Sequence, residues 1–191
     1  MKHLIIDVET LGIDSKAVIL QFVAAIYDGT TKQLSIRNWK LDAVQQKQFG
    51  RTIDPETMKW WQQQNIEAQK MALLPSPDDV DPEVALQQFE DWLEAHQFTR
   101  NDLIWQRGSM DHDWLASLFI DCGWLAEKLP IKFFRVRDIR TAVDVLGCSS
   151  KLNGYPDNTD EIKAKIPNYK QHDAKSDVLF EIAVLHEIGL L

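Results

Sequence analysis

The chain has 191 residues, 45% of them hydrophobic and 26% charged, with a formal net charge of −8. This composition predicts one globular domain, residues 1–191, with a substantial core, and excludes a disordered chain. The acidic balance argues against a protein that grips duplex nucleic acid through a broad basic surface, although a bound divalent metal would reverse the field around clustered acids.

No run of eighteen apolar residues is present, and Met1-Lys2-His3 leads into a strand rather than a signal peptide, so a cytoplasmic protein without membrane association is expected. Cys122 and Cys148 lack metal-ligand spacing and cannot form a disulfide framework, and are read as inert thiols.

In chain order, Leu4 to Thr10 is an apolar strand that ends in two acids, Asp7 and Glu9, separated by one valine. A strand sends alternate side chains to opposite faces, so both acids emerge on one side. Two such carboxylates either stand in solvent or share a cation or proton. Ala17–Tyr27 is a nearly continuous apolar run, as in a strand covered on both faces, and Asp28-Gly29-Thr30-Thr31 turns it into a third strand over Gln33–Leu41. Asp54-Pro55 opens a helix, Pro75 to Asp79 breaks the chain, and Asp81-Pro82 opens a second helix through Phe89 and Leu93. Leu103–Gln106 is a fourth strand, followed by a helix over Asp111–Cys122. A fifth strand is expected at Ile131–Val136, with a helix over Asp138–Leu146. Gly147–Tyr169 reads as an irregular loop with one short helix near Asp160–Lys165. A docked helix runs from His172 to Glu187.

This order implies an α/β fold in which strand ends and helix starts gather at one edge of a sheet. Acids occupy such positions at Asp7 and Glu9, at Asp111 with Asp113 nearby, and at Asp173 and Asp177, with His172 beside them. A cavity ringed by carboxylates needs neutralising, and hard divalent ions with oxygen ligands are the usual solution. Two such ions, about 3.5 to 4 Å apart, clamp the attacking and leaving oxygens of a phosphodiester, while a histidine near neutral pKa takes a proton.

Three segments resemble the motifs of the DEDD or DnaQ-like 3′–5′ exonucleases, histidine subgroup: Asp7-Val8-Glu9-Thr10, then Asp111 to Leu115, then His172-Asp173-Ala174-Lys175-Ser176-Asp177. The resemblance implies an RNase H-like fold, a mixed sheet of mainly five strands flanked by helices. It also implies metal ligands at Asp7, Glu9, Asp111 and Asp177, with Asp7 bridging two ions, Mg²⁺ or Mn²⁺, and His172 as general base. Asp173 falls at a free position of the motif and is read as a helix cap, and Asp113 as structural. The segments Gly50 to Gln64 and Arg137 to Thr141 look similar to DexA-like phage exodeoxyribonucleases and Rv2179c-like exoribonucleases. The resemblance thus implies an enzyme acting on single-stranded 3′ ends, DNA favoured and RNA the alternative, with a homodimer suggested by resemblance alone. A metal-binding His-Asp pair of the HD phosphohydrolase kind needs more histidines than five scattered ones provide. A binding module without catalysis needs no concentrated negative charge.

For the substrate, the resemblance places Thr10 and Leu11 against the terminal nucleotide. Trp60 and Trp61 cannot share one helical face, so one of them, Trp61 in this reading, stacks on a base while the other packs inside. Arg51, Arg107 and Lys175 are candidates for phosphate contacts, against the alternative of ordinary solvated surface. Arg137, Asp138 and Arg140 read as an ion-paired helix start.

Overall fold

A computed structural model describes residues 1–191, the side chains of Met71 and Ala72 excepted. Its sheet has five strands, β1 (Lys2–Thr10), β2 (Ile19–Asp28), β3 (Leu34–Lys40), β4 (Leu103–Gln106) and β5 (Val136–Asp138), in the order β3-β2-β1-β4-β5. β1 is antiparallel to β2 and parallel to β4, and β5 is parallel to β4, so the sheet is mixed with β1 at its centre. The hairpin turn after β2 allows its antiparallel pairing with β3, whereas the parallel partners are reached through helical crossovers. The helices are α1 (Pro55–Gln63), α2 (Ile66–Leu73), α3 (Pro82–Ala95), α4 (Asp111–Asp121), α5 (Ile139–Val145), α6 (Thr159–Ala164) and α7 (Ala174–Glu187). Among the described residues, no helix is long and apolar enough to cross a membrane.

The period of two in β1 divides the core. Leu4, Ile6 and Val8 pack with Phe89 and Trp92 of α3 and Leu115 and Phe119 of α4 on one face. Ile5 packs with Val178, Ile182 and Leu185 of α7 on the other. Asp7 and Glu9 continue the Ile5 face and therefore look toward α7. A smaller cluster of Leu11, Val18, Leu20, Trp61 and Ala68 attaches α1 and α2 beside the end of β1.

Two elements differ from the sequence reading. The strand expected over Ile131–Val136 pairs with β4 only from Val136 to Asp138. Ile131 is instead an anchor in the α3–α4 core, and Phe133–Arg135 form a single 3-10 turn that leaves Phe133 and Phe134 exposed. An apolar run alone does not distinguish a strand from an anchored loop. The segment after Asp54 also holds two helices, because Gln64 is extended and the Asn65 side chain accepts from Ala68 N at 2.9 Å to start α2.

Candidate active site

β1 and β4 are paired only through His3–Leu103, Leu4–Ile104 and Ile5–Trp105, and then diverge. Beyond the split, the Val8 N–H finds no strand partner on the β4 side, and the Asp111 carboxylate accepts from it at 3.1 Å. Asp111 is the first residue of α4. It is placed there by the turn at Gly108, whose φ of +93° suits glycine and whose N–H donates to Asp138 Oδ1 at 2.9 Å. The crevice where neighbouring strands separate at their carboxyl ends is the usual binding place in α/β sheets.

α7 supplies the opposite wall. Asp173 caps it, accepting from Ser176 N at 3.2 Å and Ser176 Oγ at 2.7 Å, as expected of that residue. Asp177, one turn on, accepts from Tyr169 Oη at 2.9 Å and from the His172 backbone N–H at 3.1 Å. His172 adopts a left-handed φ of +62°, which turns its ring away from the helix axis toward Trp60, edge to face at 4.8 Å between centroids. Burial lowers the imidazole below its ordinary pKa, so it is neutral and able to accept a proton at neutral pH.

Asp7, Glu9 and Asp177 each bring a carboxylate oxygen within 4.8 Å of the others. Asp111 stands beside this trio, close enough for its charge to act on both Asp7 and Glu9. Burial and then repulsion from Glu9 push Asp7 well above the carboxylate range, and burial and then Asp177 push Glu9 up to about 8. Burial raises Asp111 to about 7, despite the hydrogen bond from Val8. Carboxylates that resist ionisation together call for a compensating positive charge, and an all-oxygen set of this kind fits a hard divalent cation. The geometry therefore fits metal use.

The family model of the Rv2179c-like 3′–5′ exoribonuclease domain matches residues 2–188. The chain belongs to this family. The Rv2179c-like chain is thus a hydrolase, a 3′–5′ exonuclease of the DEDD type, as the three motifs implied. An exodeoxyribonuclease of Enterobacteria phage T4 is 29% identical over 210 residues, with 100% of this chain and 92% of that protein covered. The crystal structure of cell-death related nuclease 4 (CRN-4) aligns with a TM-score of 0.59 at 17% identity, covering 98% of this chain and 64% of that one. That likeness bears on the fold, an α/β RNase H-like sheet flanked by helices.

Other residues singled out in this Rv2179c-like exonuclease fall less uniformly. Thr10 lines a cleft with Glu9, Ile13, Trp60 and Trp114, although its hydroxyl is committed to the Gly12 carbonyl at 2.7 Å. Leu11 is 5% exposed and packs with Val18 and Trp61, so it supports the cleft from behind. The tryptophans are assigned the other way round from the sequence reading. Trp61 is 1% exposed and donates through Nε1 to Thr10 O at 2.9 Å, whereas Trp60 is 39% exposed beside His172. Helix phase alone left this choice open, and docking of α1 on Leu11 decides it.

Arg51 does not reach the site. Its buried guanidinium donates to the carbonyls of Ala17 and Ser15, to Ser117 Oγ and to Asp121, tying the loop before β2 to α4. A fully used buried guanidinium is a structural tie and has no donor left for phosphate. Lys175 is exposed on α7. Arg137 donates to the carbonyls of Phe134 and Val136, and Asp138 caps α5 by accepting from the N–H groups of Arg140 and Thr141, so the expected ion pair at that helix start does not form.

Sequence reasoning passed over Glu181. It is 1% exposed, four residues after Asp177 on the same face of α7, and near enough to Asp7 to raise its pKa. Arg107 faces it at 3.4 Å. The available signal was an acid at a core position of an otherwise apolar helix face, which demands a buried partner.

Proposed function

We propose that residues 1–191 form a single cytoplasmic exonuclease domain that removes nucleoside 5′-monophosphates from the 3′ ends of single-stranded nucleic acid, DNA in preference. The observation that carries the reading is the convergence of Asp7, Glu9 and Asp177 within 4.8 Å, with His172 held beside them by Asp177. These three acids and Asp111 would hold two divalent ions, Mg²⁺ or Mn²⁺, which would supply positive charge for the attacking and departing oxygens of the phosphodiester. Asp7 is the acid on which Glu9, Asp111 and Asp177 all act.

The neutral imidazole of His172 takes the proton of the attacking water as its oxygen bonds to phosphorus. The bond from phosphorus to the 3′ oxygen of the preceding nucleotide breaks, that oxygen takes a proton from solvent and His172 returns its own to solvent, giving a 5′-monophosphate and a strand one nucleotide shorter. Trp60 offers an exposed aromatic face on which a terminal base can stack without regard to its identity.

The DNA preference draws on the phage T4 exodeoxyribonuclease, which this chain matches across 92% of its length. The second reading, an exoribonuclease, is favoured by the description of the matching family. It uses the same acids and differs in contacts to the 2′-hydroxyl. Matched DNA and RNA single strands labelled at the 5′ end, incubated with Mg²⁺, should shorten as a ladder, faster for DNA. EDTA should stop the ladder and added Mg²⁺ or Mn²⁺ restore it. A ladder that persists unchanged in EDTA would overturn the metal assignment.

A further inference from the structure

On the α7 side of the acids the surface sinks into a cavity of about 170 Å³ that borders Asp7, His172 and Asp177. It lies below the roughly 300 Å³ at which pockets hold a drug-sized molecule, so it suits a small group rather than a whole nucleotide. In a chain of net charge −8, three cations line it, Arg107 from the end of β4, Arg140 from α5 and Lys163 from α6, beside the acids Asp7, Asp177 and Glu181. Among the described residues, neither Arg140 nor Lys163 takes part in an ion pair.

Arg107 and Lys163 are packed against aromatic rings, whereas Arg140 is exposed at the rim. The Arg107 guanidinium lies 4.6 Å from the Tyr155 ring and 5.2 Å from that of Phe180, and Lys163 Nζ lies 5.3 Å from Tyr169 and 5.4 Å from Phe180. Gly154, at φ +74°, rests so closely on Arg140 that a Cβ would come within 2.4 Å of its Cβ, and the Gly154 carbonyl accepts from Arg107 Nη1 at 2.7 Å. Arg107 is only 10% exposed in its side chain, and its Nε and Nη2 have no hydrogen-bond partner. Glu181, which also borders the cavity, is the ion-pair partner of Nε at 3.4 Å, so the donors left for another group are those of Nη2. Buried donors left over in this way mark a place for an acceptor.

We propose that this cavity is the subsite for the phosphodiester one nucleotide upstream of the scissile bond. The inference rests on the exonuclease reading, because it takes the strand to cross the acids with its terminal nucleoside on the Trp60 side. A phosphodiester is the anion that such a strand places beside the reacting one, and it matches three converging cations. Their charge also offsets the repulsion that the carboxylates exert on an incoming polyanion.

The test measures the first cut, as kcat/KM with Mg²⁺, on single strands carrying one uncharged methylphosphonate at the linkage next to the terminal one. The wild-type chain should cut this strand about tenfold to a hundredfold more slowly than the unmodified strand, the usual worth of a charge-assisted contact. A methylphosphonate several linkages further upstream should have little effect. The double variant Arg140→Ala, Lys163→Ala should cut the unmodified strand more slowly and respond clearly less than the wild type to the neutral linkage, since only Arg107 is then left to meet that charge.

Indifference of the wild-type chain to the neutral linkage overturns the proposal, and this arm needs no variant to fold. So does a folded double variant as sensitive to the linkage as the wild type. Inhibition by millimolar inorganic phosphate that the double variant escapes, with no linkage effect, would assign the cavity to a free anion instead. Failure to cut even the unmodified strand would overturn the exonuclease reading and this inference with it.

Discussion

Two hollows meet at the acidic group and differ in chemistry. The one beside α1 is walled by Trp60, Trp61, Trp114 and Ile13, with Asp54 and Glu56 at its rim, and has no cation in its lining. The one beside α7 gathers Arg107, Arg140 and Lys163. A terminal nucleoside carries a base and a sugar but no phosphate beyond its 3′ oxygen, so an apolar, acid-rimmed hollow accommodates it and repels a continuing chain. A strand arriving from the 5′ side brings a charge at every linkage and suits the basic hollow. The contrast fits an enzyme that works from an end, and the acids between the hollows are where the two demands meet.

The largest effect should come from removing that meeting point. Asp7→Ala should lower hydrolysis by about 10³-fold or more by deleting one of the converging carboxylates, measured as release of 5′-monophosphate. Activity close to wild type would break the assignment. His172→Ala should cost roughly 10² to 10⁴ in kcat, because proton transfer is lost while the carboxylates stay in place. Calorimetry should find divalent binding retained in that variant, which separates a proton acceptor from a ligand.

Comparing the two tryptophans sharpens the reading of the apolar hollow. Trp60→Ala should raise KM for single strands by an amount equivalent to about 1 to 3 kcal/mol, with the melting temperature nearly unchanged. Trp61→Ala should instead cost about 3 to 5 kcal/mol of stability, since it removes a buried indole and orphans the Thr10 carbonyl. A thermal melt distinguishes them, and the reverse pattern would restore the assignment expected from the sequence.

The smallest effect is on stability against pH. Buried acids with raised pKa values bind more protons in the folded than in the unfolded chain between their unfolded values of 3.8 to 4.5 and their folded ones, about 7 for Asp111 and about 8 for Glu9. Their contribution is therefore full below the unfolded values and declines as pH rises through this window. In EDTA the melting temperature should fall from pH 5 to pH 8, and Mg²⁺ should remove most of that fall. A metal-free chain equally stable at both values would show that burial and mutual repulsion do not raise these acids.

Much of this was readable along the chain. Alternation in Leu4 to Glu9 put both acids on one face, and the motif order from Asp7 through Asp111 to Asp177 indicated which acids converge. The missed features depend on partners remote in sequence. Arg51 looked like a free cation until Ala17, Ser117 and Asp121 were seen to use its donors. Ile131–Val136 had the composition of a strand, yet β4 offers pairing only from Val136. Glu181 read as a polar residue on a helix and became a buried neighbour of Asp7 only when α7 docked on β1.

The sequence by itself determined the central strand, its two faces and the shared face of Asp7 and Glu9, because local periodicity is a property of the chain, while the resemblance to a known family singled out Asp111 and Asp177 among the other acids. The tertiary structure decided which tryptophan meets the cleft, that Arg51 is a tie, and that Arg107, Arg140 and Lys163 surround one cavity. Those outcomes turn on which groups compete for each buried donor and acceptor, and that competition exists only once segments distant in the chain are packed together.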